Sequence, residues 1–212
     1  MKKKWILLLM MGLIGLTLSS CVLFPRKKGG VKSSSTSETF SLRGDSSSSS
    51  SADDSLVTAE TKRVGSDDYG YISIPKNWVK FTDLGGGDSI QYTDGSGYNI
   101  VSMNAYTKEK ANIGEGEDFT AETIANRIYY NWSENKEAEK FWGAKTTVSG
   151  NDAYQVNVNM KSGQYLTSWI FKQKDKIYLI SFEGDSDTLG KFVYYIEYTW
   201  DEKLEESGKS NI

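Results

Sequence analysis

Beyond residue 57, apolar and polar side chains alternate with period two in several short runs, the spacing of strands that bury one face. Tyr69-Gly70-Tyr71-Ile72-Ser73-Ile74 is one such run, closed by Pro75, which has no amide hydrogen for a ladder. Ile90–Thr93 and Asn99–Tyr106 flank the turn Asp94-Gly95-Ser96-Gly97 and predict a hairpin. Tyr154, Val156, Val158 and Met160 alternate with Gln155, Asn157 and Asn159, and turns at Lys161-Ser162-Gly163 and Lys174-Asp175-Lys176 set off further strands at 164–174 and 177–183. A strand at Lys145–Ser149 with the turn Gly150-Asn151-Asp152 precedes this meander. Two segments change to the helical period. Ala121, Ile124, Ala125, Ile128, Tyr129 and Trp132 form one stripe, with Thr120 placed as N-cap and Phe119 with Ile124 as a hydrophobic staple. Leu189, Phe192, Val193 and Ile196 form the other, behind Asp185, Ser186 and Asp187, acids that suit the positive end of a helix dipole. Strands in runs with separate helices predict an α+β domain over 57–206, an antiparallel sheet covered by helices, with a short tail at 207–212.

The start of the chain follows neither period. Lys2, Lys3 and Lys4 precede Trp5–Leu18, fourteen residues without a charge. As helix this run rises about 21 Å, short of a bilayer core of about 30 Å, so it reads as the apolar region of an export signal. Leu18-Ser19-Ser20-Cys21 follows and resembles the lipobox of bacterial lipoprotein signals. The resemblance covers roughly residues 2–21. It implies a diacylglyceryl group on the sulfur of Cys21, removal of residues 1–20, and a chain anchored to the membrane on the extracytoplasmic face of the cell membrane. The competing reading is an ordinary secretory peptide with Cys21 as a free thiol, but exported chains rarely keep a lone thiol. Arg26, Lys27, Lys28 and Lys32 then lie beside the anchor, where anionic headgroups attract them.

Residues 21–56 read as the lipidated cysteine and a disordered tether. Twelve of the 23 residues from Ser33 to Ser55 are serine, so this stretch has too little apolar surface to offset the entropy of ordering. Its root-mean-square reach is about 30 Å. Arg43-Gly44-Asp45 inside it matches the tripeptide read by integrins, a match that chance supplies readily in a Ser/Gly/Asp-rich segment.

The run Tyr69-Gly70-Tyr71-Ile72-Ser73-Ile74-Pro75-Lys76-Asn77-Trp78 resembles the G-Y-x-I-x-I-P-x-x-W opening of PsbP-like (Mog/PsbP-type) domains. The order of the later elements is similar too: a helix after the early hairpins, a strand meander, and a closing helix that ends near Tyr198-Thr199-Trp200. The resemblance spans about 65–202 and implies a PsbP-like α/β/α arrangement, an antiparallel sheet sandwiched between helices. That family includes a photosystem subunit, a nuclear-import factor that binds a small GTPase, and bacterial lipoproteins, and is not defined by a shared catalytic site, so function has to be argued from a site.

Composition narrows the chemistry. The 212 residues contain no His and one Cys, which removes Ser-His-Asp and Cys-His devices, disulfides, Cys-rich zinc sites and iron–sulfur sites. With 25 Lys+Arg against 28 Asp+Glu the net charge is −3, and loss of Lys2–Lys4 with the signal makes it −6. Nucleic acid, which needs clustered cations, is not an expected partner. Ser73–Lys76 and Ser133–Lys136 match Ser-x-x-Lys without the buried helix start that a serine–lysine hydrolase uses. Glu115, Glu117 and Asp118 lie in a glycine-spaced loop whose spacing fits no EF-hand, and Gly85-Gly86-Gly87-Asp88 lacks the Lys-Ser/Thr and βαβ setting of a phosphate loop. No metal or cofactor is expected.

The aromatic surplus remains. Tyr130, Tyr194, Tyr195 and Tyr198 crowd the flanks of the two helices and are the candidate binding aromatics, while Tyr71, Trp142, Tyr165 and Trp169 on strands suit either core or surface. The expected function is therefore a membrane-anchored lipoprotein whose domain binds a protein or cell-envelope partner without catalysis. The alternatives are a small-ligand or carbohydrate carrier, with an apolar or aromatic-lined pocket, and a carboxylate-dependent hydrolase, which needs two acids about 5–10 Å apart and one raised pKa.

Overall fold

The computed structural model describes residues 60–81 and 88–204. The leader 1–20 with Leu18, Ser19 and Ser20, then Cys21, the tether 21–56, Gly85-Gly86-Gly87 and the tail 207–212 lie outside the described residues. In chain order the elements are β1 (Thr61–Ser66), β2 (Gly70–Pro75), β3 (Val79–Phe81), β4 (Ile90–Thr93), β5 (Ile100–Tyr106), α1 (Ala121–Ser133), β6 (Ala138–Val148), β7 (Asn151–Met160), β8 (Tyr165–Gln173), β9 (Lys176–Gly184) and α2 (Ser186–Thr199).

Seven strands form one antiparallel sheet in the order β3-β4-β5-β9-β8-β7-β6, and β1 pairs with β2 alone. The meander expected from alternation runs β6-β7-β8-β9, and the β4–β5 hairpin closes where the Asp-Gly-Ser-Gly turn places it. One expectation needs correcting: β6 begins at Ala138, seven residues ahead of Lys145. Its first half reads poorly because the register slips between Ala138 and Lys140, and on this edge strand Glu139, Lys140 and Trp142 are exposed while Ala138 and Phe141 are only partly buried. β1 and β3 also escaped the pattern, since one buries only Val64 and the other buries no residue.

Both faces of the sheet are covered. On one, Val101, Met103, Trp169, Phe171, Tyr178, Ile180 and Phe182 meet Phe192, Tyr195 and Ile196 of α2, Ile72 and Ile74 of β2, and Trp78 and Trp200. On the other, Val156, Val158, Met160, Leu166, Ile170 and Ile177 meet Ala121, Ile124, Ala125 and Trp132 of α1. The fold is thus α+β, an antiparallel sheet sandwiched between helices, as the sequence leads one to expect.

Helix α1 starts on the cap that the sequence offers, and α2 on the first of the three polar residues ahead of its stripe. Thr120 Oγ1 accepts the amide of Thr123 at 3.1 Å, and Asp185 Oδ1 accepts that of Thr188 at 2.7 Å. Asn99 ties the second cap to the β4–β5 turn: its Oδ1 accepts from the Asp185 amide at 3.0 Å and its Nδ2 donates to Asp94 at 2.8 Å. At the far end of α2, Asp201 and Tyr71 exchange backbone hydrogen bonds of 2.8 and 2.9 Å, and Arg63 pairs with Asp201 at 2.8 Å. This seats the Trp200 indole over β2 and against Phe171 and Tyr178, edge-to-face with both.

Gly70 makes that seat possible. Its φ is +73° and a Cβ there would stand 2.4 Å from Trp200 Nε1. Gly70→Ala is therefore expected to lower the unfolding free energy by about 2–4 kcal/mol in urea titration, with a red-shifted tryptophan emission as Trp200 is displaced. A second expectation concerns pH. The Thr188 amide, above all, holds the Asp185 carboxyl below the usual carboxylate range. Its contribution is fully present above the unfolded value of about 4 and is lost as pH falls through the lower folded value. Asp185→Asn still caps α2 but cannot titrate, so the acid limb of its stability curve, followed by urea midpoints below about pH 4, should be flatter than the parent's.

Candidate functional site

The site is a consequence of how α2 crosses the sheet. Its start is fixed beside β5 by Asn99, and its end meets β6, where the Ser149 amide donates to the Glu197 carbonyl at 2.8 Å and Ser149 Oγ to the Trp200 carbonyl at 2.6 Å. On β7, Val156, Val158 and Met160 point into the α1 core, so Gln155, Asn157 and Asn159 line the α2 face. Across the ladder, Asn157 stands between Trp142 of β6 and Thr167 of β8, Asn159 between Lys140 and Tyr165, and Gln155 between Ala144 and Trp169. These rows make a polar shelf between α2 and the open edge of the sheet.

A chain of hydrogen bonds runs across it. Thr167 Oγ1 donates to Asn157 Oδ1 at 2.9 Å, Asn157 Nδ2 to Gln155 Oε1 at 3.1 Å, and Gln155 Nε2 to Glu197 Oε1 at 3.3 Å. The same carboxylate oxygen also accepts Thr146 Oγ1 and Trp169 Nε1, each at 2.9 Å. Trp169 is fully buried, so its indole N–H depends on that oxygen. Thr167 and Asn157 are 2% and 7% exposed, yet each keeps a partner. Asn159 is different: its Oδ1 is shielded from solvent and takes no hydrogen bond among the described residues. Beside it the Trp142 indole is 39% exposed, with the Lys140 ammonium 5.2 Å from the ring centre.

The four tyrosines singled out from the sequence do not share a surface. Tyr130 is exposed on α1, across the sheet from the others. Tyr194 and Tyr198 stack on α2 with ring centres 5.2 Å apart, and Tyr198 is 71% exposed. Tyr195 corrects the expectation: it is 4% exposed and lies edge-to-face on Phe192, a core residue whose phenol burial pushes upward in pKa. Of the strand aromatics, Trp169 is core and Trp142 is surface, while Tyr71 and Tyr165 are half-buried.

The acidic loop has its own use, since Glu117 pairs with Arg127, whose Nη1 also donates to the Ala111 carbonyl at 2.7 Å. Among the described residues no three acidic, His or Cys side chains group to hold a metal ion. Asp94, Glu117 and Asp185 are all held below the usual carboxylate range. The partner's hydrogen bond from Arg127 does this at Glu117, whereas at Asp94 partial burial acts in the opposite sense and is outweighed by hydrogen bonds from Ser96 and Asn99. None of these three is the high-pKa proton donor of an acid-pair hydrolase. The shelf brings together amide and hydroxyl groups that donate and accept hydrogen bonds, the chemistry of a binding surface.

Gln155, Asn157, Asn159, Thr167 and Glu197 were not anticipated as a group. The signal was present: the outward positions of β7 are amides and not the Lys and Glu of a plainly solvated strand face.

Among the described residues no helix is long and apolar enough to cross a membrane. No family model matches the chain, and no curated protein matches it. Several solved structures are similar in fold. PsbP (CyanoP) of Synechocystis is 12% identical with a TM-score of 0.48, over 68% of this chain and 92% of that one. A Bacteroides thetaiotaomicron protein is 15% identical with a TM-score of 0.41, over 71% of this chain and 51% of its own. LpqN of Mycobacterium tuberculosis, involved in cell envelope biogenesis, is 15% identical with a TM-score of 0.34, over 65% of this chain and 87% of its own.

Glu197 is the joint between helix and shelf. Glu197→Ala should cost about 2–4 kcal/mol in urea unfolding because three donors lose their acceptor. Glu197→Gln, which can keep an oxygen at that point, should retain most of the stability.

Proposed function

We propose that this chain is a lipoprotein anchored through Cys21 on the extracytoplasmic face of the cell membrane, and that its domain acts by binding a protein or cell-envelope partner without catalysis. The observation that carries the reading is positional. The chain's one cysteine directly follows Leu18-Ser19-Ser20, at the end of a charged and then apolar leader. The two acyl chains of a diacylglyceryl group on that sulfur give stable attachment where a single chain does not. The serine-rich segment then gives the domain a working radius, and the domain offers donors, acceptors and exposed rings in place of a reactive pair.

A narrower reading, a carbohydrate-binding lipoprotein, is favoured by the amide row beside the Trp142 indole.

The anchor is tested by growing the native cells with radiolabelled palmitate. The parent chain should take up label and sediment with membranes, and Cys21→Ser should do neither. A Cys21→Ser chain that is still labelled would falsify the anchor.

A further inference from the structure

Resting on the reading of the domain as a binding module, we infer that the shelf beside α2 binds a neutral, polyhydroxylated chain, a glycan segment of the cell envelope. Four observations point to this chemistry.

The first is the lining. Asn159 on one strand and Tyr165 across from it on the next are half-buried and carry groups that both donate and accept. Neighbouring hydroxyls on a sugar ring do the same, each giving one hydrogen bond and taking another. The second is the leftover acceptor. Within the network every other shelf amide has a partner, whereas the shielded Oδ1 of Asn159 has none among the described residues. An acceptor withdrawn from water without a donor costs free energy, and a sugar hydroxyl is a donor of the right size. The third is the ring. Trp142 lies directly across the ladder from Asn157 and is well exposed, so it offers an apolar plate to the C–H face of a pyranose while the Asn159 amide takes a hydroxyl.

The fourth is charge. Glu197 has one oxygen occupied by three internal donors, and the Lys140 ammonium sits over the Trp142 ring. These charges are single and of opposite sign, and form no cluster. That disfavours nucleic acid and strongly charged peptides, which need clustered cations or anions. The shelf also has two parts: the Glu197 network holds the helix to the sheet, and the side chains of Asn159 and Trp142 take no part in it.

The test is calorimetric titration of the detergent-solubilised full chain with two soluble probes. Tetra-N-acetylchitotetraose presents acetamido and hydroxyl groups, and maltoheptaose presents hydroxyls alone. Saturable binding of at least one probe is expected. Trp142→Ala and Asn159→Ala should each weaken it by about tenfold or more. Tyr130→Ala, on the opposite side of the sheet, should leave it unchanged. Urea midpoints of both shelf variants should stay close to the parent's, which separates loss of binding from loss of fold.

Absence of binding to both probes, or binding indifferent to both shelf substitutions, would overturn the inference. So would a protein partner captured on intact cells by a photo-crosslinker at position 142, although that result would leave the domain's role as a binding module standing. Failure of palmitate labelling bears on the anchor alone and does not touch this result.

Discussion

The architecture depends on two neighbouring strands that are apolar on both faces. Along β9, Ile177 points to one side and Tyr178, Ile180 and Phe182 to the other, and along β8, Ile170 opposes Trp169 and Phe171. All seven are at most 1% exposed. A strand of this kind cannot lie on a surface, so the sheet must carry a cover on each face. Helix α1 supplies one. The other needs more than a helix, and the β1–β2 hairpin fills the remainder beside α2, locked there by Trp200 over Gly70 and by the Tyr71–Asp201 hydrogen bonds.

Two covers centred on β8 and β9 do not seal a sheet of seven strands out to its edges. Toward β6 the α2 face passes from Phe182 to Thr167, then Asn157, then Trp142, one step per strand along a single row. Burial falls along the same row, from none of the phenyl exposed to 39% of the indole. Polar groups in that zone are too shielded to rely on water and too far out to be replaced by core hydrocarbon without creating an exposed apolar patch. The chain of bonds from Thr167 to Glu197 answers the first demand. It fixes side-chain orientations on the shelf as a by-product of satisfying buried polar atoms, which is the preorganisation that a binding surface needs.

This explains what the sequence could and could not tell. The central strands and both helices were legible because each buries a full face or stripe, and Thr120 and Asp185 marked the helix starts by capping chemistry that is local. β1, β3 and the first half of β6 were not, because their burial is partial and decided by partners distant in sequence. The shelf lay hidden for a related reason. Gln155, Asn157 and Asn159 read as the wet side of an amphipathic strand, and only the path of α2 turns that side into a half-covered one. Tyr195 failed in the opposite direction. It sits one step from the stripe defined by Phe192 and Ile196, and the β1–β2 hairpin widens the buried arc of the helix to include it. The width of that arc is a tertiary property that periodicity does not carry.

A shallow shelf on a sheet edge makes few contacts and binds weakly by itself, since much of its interaction free energy is spent on ordering both partners. The proposed anchor changes what such a site requires. With the proposed tether, whose composition gives a reach of about 30 Å, the domain would be confined to a thin layer above the membrane, where the effective concentration of a fixed envelope component is on the order of millimolar. Under that confinement a weak site is occupied much of the time, and repeated sugars along a glycan offer many equivalent registers to rebind. Weak, fast-exchanging contact also leaves the domain free to move along its ligand. The proposed weak site and the proposed tether thus suit one another, whereas a deep pocket of high affinity would gain little from such a tether.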